Sequence, residues 1–404
     1  MTRTATEHKI AQHIAQRHEE LLADLRLHVG LRTGKGNAEG LDETRKRLTD
    51  RLNTLGATTD LVPGDPKPDW LGGSSQVPPT AVCRRLGGAT TGRVLIAGHL
   101  DTVHDPDSPF NALTISPDGK TATGPGCVDM KGGLIIAVAA LEALEACGVP
   151  AAWTFTLNSD EETGTYHSEK ALRAEAANHD FGLALEPALP GGELAIERMG
   201  SGQFKLECFG KAAHVGRAFA DGVSAVNALA ERVVAMSHMP DAAAGKILNV
   251  GPLLGGPVTN AVPDYAAAWG NVRFPDQATA DELAAQLGAL TTGPDAPPEH
   301  LPRAVLHSSF NRPAKPLIPA TQRLALKARE VAEALGQSLP FAKTGGVCDG
   351  NILQDAGLPT IDTLGVRGGG LHTPDEWIEL DSLVERCQLL AILIARLSAG
   401  GSEA

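Results

Sequence analysis

The feature that most constrains the fold is an alternation of short apolar segments with a long helical pattern. Residues 93–97 (RVLIA), 153–157 (WTFTL) and 181–185 (FGLAL) have the length and apolar character of fully buried strands. Residues 131–147, between the first two, are mostly apolar and long enough for a helix. This order predicts an α/β fold: a mostly parallel sheet with helices on both faces.

The character of the chain changes beyond residue 197. Residues 203–209 and 265–274 alternate polar and apolar side chains, which is typical of an antiparallel sheet with one solvated face. A Pro-rich segment at 294–302 marks the approximate end of this region. We therefore predict one catalytic domain, residues 1–199 and 310–404, interrupted by an inserted α+β lid domain, residues 200–309. The remaining helical patterns cover residues 7–29, 41–55, 222–236, 280–290, 321–335 and 381–397.

Composition narrows the class of partner and the compartment. The net charge is −13, which argues against a nucleic-acid phosphate backbone as partner. The chain has no apolar run long enough to span a membrane, and its charged first thirty residues do not resemble a secretory signal. Its six cysteines include no C-x-x-C pair. We predict a cytoplasmic protein that binds neither nucleic acid nor membrane.

A histidine and a carboxylate follow the first predicted strand. His99 and Asp101 stand two residues apart in GHLDT, at the carboxyl end of residues 93–97. Open α/β sheets bind ligands at this edge, and a carboxylate can orient a metal-binding imidazole through its second ring nitrogen. Taken alone the pair is a weak signal, because such residues are common at strand ends.

Four further acidic residues are candidates for the same site. Asp129, in the glycine-rich segment 124–133, precedes the predicted helix, where an ordinary helix cap is an equal alternative. The adjacent Glu161 and Glu162 follow the second strand and would repel each other without a cation or a shared proton, although solvated acidic turns are common. Glu186 follows the third strand.

A distant histidine completes the set. His372 lies in a glycine-rich segment, GGGLHTPDE, ahead of the last predicted helix. Histidine and carboxylate side chains are ligands that zinc accepts, and a carboxylate can bridge two ions. Chance placement of all the candidates at one sheet edge is improbable. The candidate ligands are His99, Asp129, Glu162, Glu186 and His372.

These motifs resemble those of the M20 family of metallopeptidases, especially glutamate carboxypeptidases and aminoacylases. The resemblance extends over nearly the whole chain. It implies two divalent ions, zinc or alternatively cobalt or manganese, with Asp129 as the bridging ligand. His99 and Glu186 are then expected on one ion, and Glu162 and His372 on the other. By the same resemblance Asp101 is an orienting carboxylate, Glu161 the general base, and the Asp129–Met130 peptide bond cis.

The resemblance also implies roles for residues outside the metal cluster. His214 is similar to an oxyanion stabiliser that can serve the neighbouring active site of a dimer formed through the lid. Asn260 and Arg273 are similar to residues that contact the carboxylate of the substrate. Arg312 and the Gly345–Gly346 loop are expected beside the substrate.

The expected function is that of a dinuclear metal-dependent hydrolase. Its substrate would be a small N-acylated amino acid or dipeptide-like molecule with a free carboxylate, as for a glutamate carboxypeptidase. Two alternatives remain open at this point. One is an aminoacylase or deacylase that removes a non-peptide acyl group. The other is a non-catalytic binding protein on the same fold, which the presence of every expected ligand and of the general base disfavours.

Overall fold

The computed structural model describes residues 3–34, 36–72, 77–87, 92–293, 297 and 299–400. Part of the predicted Pro-rich segment, residues 294–296 and 298, therefore lies outside the described residues. The α-helices of the described part are α1 (Ala5–Ala15), α2 (His18–Gly30), α3 (Ala38–Thr54), α4 (Gly132–Cys147), α5 (Glu169–Ala176), α6 (Val215–Ala218), α7 (Ala225–Met236), α8 (Gln277–Gly288), α9 (Pro319–Ala334), α10 (Asp349–Asp355) and α11 (Asp381–Ala399).

The described part of the chain also contains β-strands. They are β1 (Thr58–Val62), β2 (Thr80–Arg85), β3 (Arg93–His99), β4 (Thr114–Ile115), β5 (Thr121–Thr123), β6 (Ala152–Asn158), β7 (Phe181–Ala184), β8 (Leu194–Arg198), β9 (Gly200–Phe209), β10 (Ala213–His214), β11 (Ile247–Gly255), β12 (Ala261–Val262), β13 (Tyr265–Phe274), β14 (Arg303–Arg312), β15 (Phe341–Thr344), β16 (Thr360–Ile361), β17 (Gly368–Gly369) and β18 (Trp377–Glu379).

The central sheet has the strand order β1-β2-β6-β3-β7-β16. Strands β6, β3, β7 and β16 run parallel, whereas β1 and β2 are antiparallel to their neighbours. The predicted α/β class with a mostly parallel sheet is confirmed. The two antiparallel strands are not predicted by the sequence pattern, because residues 58–62 and 80–85 border a Pro- and Gly-rich loop that obscures them.

Helices cover both faces of this sheet, as predicted. Side chains of β3 alternate between two apolar clusters, since successive residues of a strand point to opposite faces. Val94 and Ile96 belong to the large cluster that includes α4 and α11, whereas Leu95 and Ala97 pack with residues of α5 and α10. Helix α4 is buried around most of its circumference, which explains why its sequence is apolar rather than amphipathic.

The N-terminal helical region is divided at Gln16–Arg17, where the sequence pattern predicts one continuous helix. No glycine or proline marks this break. The Arg17 side chain instead extends to helix α4, where its guanidinium donates to the Ala139 carbonyl at 3.4 Å and to Glu142 at 2.6 Å. A tertiary contact with α4 is therefore made at the residue where the two helices meet.

A second sheet, with the order β11-β13-β9-β14, is antiparallel throughout. It has its own apolar cluster, formed with residues of α7 and α8. The domain boundaries at residues 199/200 and 309/310 stay a prediction, and β14 extends past the second of them to Arg312. None of the helices described here is long and apolar enough to cross a membrane.

Candidate metal centre

Parallel strands deliver the candidate residues to one edge of the central sheet. His99 is the last residue of β3, and Glu161 and Glu162 follow the end of β6 by three and four residues. Glu186 follows β7 by two residues. Asp129 arrives from another direction, in a turn that leads into α4. The Asp129–Met130 peptide bond is cis, as predicted.

Three side chains form a tight cluster at this edge. The ligand atoms of His99, Asp129 and Glu162 all lie within 4.8 Å of one another. Asp129 stands between two histidines: its Oδ1 is 3.2 Å from His99 Nε2, and its Oδ2 is 3.5 Å from His372 Nε2. His372 Nε2 is also 3.3 Å from Glu162 Oε2. One carboxylate with an imidazole at each oxygen is the arrangement that a bridging ligand requires.

The donor set fits divalent cations. Glu162 Oε1 is buried and has no hydrogen-bond partner among the described residues, so that one oxygen in the cluster is free to accept a cation. Glu186 is buried and interacts electrostatically with His99, Glu161 and Asp129. Burial raises its pKa well above the usual range. Nearby cations would stabilise this carboxylate as an anion.

The two histidines share one carboxylate partner, Asp129, and each has a second one of its own. Burial alone would lower the pKa of His99, but hydrogen bonds with Asp101 and Asp129 raise it well above its usual value. Hydrogen bonds with Asp129 and Glu162 raise the pKa of His372 to about 10. His372 is half exposed and adopts a left-handed backbone conformation with φ 63°. Both imidazoles therefore face concentrated negative charge, which a metal ion can satisfy in place of a proton.

Asp101 contacts His99 through both its main chain and its carboxylate. His99 Nδ1 lies 2.9 Å from the main-chain carbonyl of Asp101, whereas the carboxylate oxygen is 3.5 Å away. The Asp101 carboxylate instead accepts the backbone N–H groups of Glu161 at 3.2 Å and Glu162 at 2.9 Å. It thus ties the loop that carries both glutamates to the end of β3, while the main chain and the side chain of Asp101 both contact the imidazole.

The Glu161 side chain is mostly buried beside the cluster, with 10% of its surface exposed. Burial raises its pKa to about 7, even though the Arg312 guanidinium favours the charged form. Arg312 donates to Glu161 Oε1 at 2.8 Å and to the Glu161 carbonyl at 2.9 Å. Such a pKa suits a group that accepts and returns a proton near neutral pH.

A cavity of about 480 Å³ opens over these residues. Arg273, Arg312 and Gly346 line it, together with Glu161, Glu162 and His372. Gly345 is the neighbour of a lining residue. The structure thus places most of the predicted substrate-binding residues beside the candidate ligands.

Two of the predicted site residues, His214 and Asn260, do not line this cavity. His214 is exposed, and its Nδ1 accepts the Gly216 N–H at 3.1 Å. Asn260 is exposed as well, and its carbonyl accepts the Val215 N–H at 3.1 Å.

Comparison with known proteins decides the family. The family model described as "Peptidase family M20/M25/M40" matches residues 95–396 of the chain. The chain belongs to this family. The resemblance inferred from the motifs is thereby confirmed, and the M20 chain is a metal-dependent enzyme that hydrolyses peptide or amide bonds.

Individual relatives agree with this assignment. The M20 chain is 28% identical over 389 residues to carboxypeptidase G2 from a Pseudomonas species, in an alignment that covers 92% of the chain and 88% of the relative. It is 30% identical over 322 residues to a succinyl-diaminopimelate desuccinylase from Methylorubrum extorquens, with coverage of 73% and 80%. A tripeptidase structure from Staphylococcus aureus shares the fold, with a TM-score of 0.74, 23% identity, and coverage of 94% and 99%.

Glu376 is a residue of this M20 centre to which we assigned no role from the sequence. It is buried, and its carboxylate accepts the backbone N–H groups of Gly126 at 2.8 Å, Val128 at 2.9 Å and Asp129 at 3.0 Å. It also contacts His104 Nε2. Glu376 therefore fixes the turn that presents Asp129. Its place four residues after His372 is visible in the sequence, but nothing there indicates backbone donors so far away.

Asp349 is a second residue that sequence reasoning missed. It is buried at the start of α10, where it accepts the Thr165 hydroxyl at 3.0 Å and lies 3.6 Å from Arg312 Nη1. Arg312 is thus held between Glu161 and Asp349. No sequence pattern indicates Asp349, because the predicted helical patterns do not include the residues of α10.

Proposed function

We propose that this M20 enzyme is a dinuclear metal-dependent hydrolase that cleaves the amide bond of a small N-acylated amino acid or dipeptide-like substrate with a free carboxylate. The observation that carries the proposal is the position of Asp129 between His99 and His372. Glu162 contacts His372 in the same cluster, and Glu161 lines the adjacent cavity. We assign His99 and Glu186 to one ion and Glu162 and His372 to the other, with Asp129 shared. Zinc is the proposed metal, with cobalt and manganese as alternatives.

We assign a separate role in the reaction to each of several residues. Bound divalent ions would polarise the scissile carbonyl and favour deprotonation of the attacking water. Glu161 accepts the proton of that water and returns it to the departing amine. Arg312 holds the Glu161 carboxylate in place through the 2.8 Å contact. Arg273, whose Nη1 is buried without a hydrogen-bond partner in the described structure, binds the carboxylate of the substrate.

An activity panel tests this proposal. We expect hydrolysis of at least one N-acyl amino acid after loading with zinc, cobalt or manganese, and loss of activity on treatment with a chelator. Readdition of metal should restore the rate. Activity that survives complete removal of metal, verified by elemental analysis, would contradict the proposal. The same panel separates the two alternatives. A carboxypeptidase would hydrolyse substrates with an aminoacyl group faster, whereas a deacylase would hydrolyse those with a non-peptide acyl group faster. The similarity to a desuccinylase favours the deacylase.

We further propose that two copies pair through the lid. Strand β11 is an edge of the second sheet, and it exposes Leu253 and Leu254 beside the exposed Val234 of α7. These side chains line one apolar groove of about 470 Å³. A contiguous apolar surface at a sheet edge is typical of an interface between chains. Pairing would also explain why His214 and Asn260 lie away from the cavity of their own chain: they would serve the neighbouring one.

Disrupting the pair should reduce activity. We expect Leu254→Glu to convert a dimer into a monomer in analytical ultracentrifugation, because a buried charge in the interface is costly. Its kcat should fall to a similar extent as that of His214→Ala, by about 100-fold or more for loss of an oxyanion donor. Leu61→Glu, at an exposed leucine of β1 in the central sheet, is the control. A fully active Leu254→Glu monomer would contradict the shared site.

A further inference from the structure

The segment between β1 and β2 reaches from the central sheet to the second sheet. The Gly64 N–H donates to His167 Nε2 at 3.2 Å, beside the loop that follows β6. At the other end, the Trp70 ring stacks on His307 of β14 with centroids 6.2 Å apart, and the Trp70 carbonyl accepts Trp269 Nε1–H at 3.5 Å. Residues 64–70 are therefore held at both ends, and Lys67 lies between the two contacts.

Lys67 lines the same 480 Å³ cavity as Glu161 and Arg273. It is partly buried, and the described residues offer its ammonium group no salt bridge or hydrogen bond. The carboxylate that interacts with it electrostatically, Asp160, already accepts the His167 N–H at 2.6 Å and the Ser168 hydroxyl at 2.5 Å. The positive charge of Lys67 is thus directed to the cavity without a committed partner.

The balance of charge in the cavity leaves two cations uncompensated. Of the lining residues, Arg312 is paired with Glu161, and Glu162 contacts His372. Arg273 Nη1 has no hydrogen-bond partner among the described residues, and the carboxylate that interacts electrostatically with Lys67, Asp160, is already hydrogen-bonded to His167 and Ser168. A substrate with a single carboxylate would satisfy only one of the two cations. Partly desolvated charges favour ligands that neutralise them.

We propose that Lys67 is a specificity-determining residue that pairs with a second anionic group of the substrate, while Arg273 holds the first. This inference rests on the proposed function, because it concerns the substrate of the same site. The second group can belong to the side chain of the amino acid, as in an acyl-glutamate, or to the acyl part, as in a succinyl group. Both are carboxylates within one small substrate.

Matched substrate pairs test Lys67 and separate these two sources. N-acetyl-L-glutamate and N-acetyl-L-glutamine differ in charge on the amino-acid side, whereas N-succinyl-L-alanine and N-butyryl-L-alanine differ on the acyl side. We expect Lys67→Met to lower kcat/KM for the charged member of one pair by about 10- to 100-fold, as for loss of a charged hydrogen bond. The neutral member should change by about twofold at most.

Two further variants control for indirect effects. Lys67→Arg keeps the charge and should retain most of the preference for the charged substrate. Lys170→Met removes an exposed lysine of α5 that does not line the cavity, and it should leave both pairs unchanged. If Lys67→Met lowers kcat/KM equally for charged and neutral substrates, or changes neither, the inference is wrong.

A binding measurement keeps this result separate from a failure of the proposed function. If the metal-loaded enzyme hydrolyses no substrate of either pair, calorimetric binding of glutarate and butyrate decides the role of Lys67, whereas the proposed function fails only if the wider panel of N-acyl amino acids is not hydrolysed either. We expect the wild-type protein to bind glutarate more tightly than butyrate, and Lys67→Met to lose that difference. Equal glutarate binding by the two proteins, including no binding to either, would contradict the inference.

Discussion

Replacing Glu161 with glutamine should lower kcat by about 1,000-fold, within the range that general acid–base catalysis contributes. Glutamine keeps the shape of the side chain and can still contact Arg312, but it cannot accept the proton of the attacking water. The metal content should remain that of the wild-type enzyme, because the cluster of His99, Asp129 and Glu162 is intact. Steady-state kinetics and elemental analysis on the same preparation provide both values.

The matched control for this variant is Glu333→Gln. Glu333 is exposed on α9, far from Glu161 in sequence, and its substitution should leave kcat unchanged. A Glu161→Gln enzyme with near wild-type turnover and full metal content would show that another group moves the proton. Loss of metal together with activity would instead assign Glu161 to the metal centre itself.

The second large effect is expected at Asp129. Asp129→Asn removes the negative charge that lies between His99 and His372, at 3.2 Å and 3.5 Å from the two imidazoles. We expect the metal content to fall from about two ions per chain to one or fewer, because a bridging carboxylate contributes to both sites. The value of kcat/KM should fall by about 1,000-fold or more, since polarisation by the metal is worth several kcal/mol.

The control for Asp129 is Asp281→Asn, at an exposed aspartate of α8. It should retain wild-type metal content and activity. Both aspartate variants should also be compared by circular dichroism, because Asp129 is buried in the turn before α4. If a folded Asp129→Asn protein binds two ions with wild-type affinity, the assignment of Asp129 as the shared ligand is wrong.

The sequence predicted the positions of the candidate metal ligands better than those of the residues around them. His99, Glu161 and Glu186 could be placed together because each follows a buried strand, and parallel strands end at the same edge. The periodicity of residues 203–209 and 265–274 likewise predicted an antiparallel second sheet, which the structure contains. In these cases local pattern and tertiary structure agree.

The features that were missed depend on contacts between distant segments. Glu376 accepts backbone N–H groups about 250 residues away in the chain, and no local pattern encodes such a bond. Strands β1 and β2 are short and bordered by a Pro- and Gly-rich loop, so their pairing with each other and with β6 decides their structure. The position of Lys67 over the cavity similarly follows from the contacts of Gly64 and Trp70.

The most direct test of the central claim is a crystal structure of the zinc-loaded enzyme with anomalous data collected at the zinc edge. The account predicts two anomalous peaks at the carboxyl edge of the central sheet, with Asp129 contacting both. One peak should lie beside His99 and Glu186, and the other beside Glu162 and His372. A fully loaded crystal with a single peak, or with peaks away from Asp129, would contradict the proposed dinuclear centre.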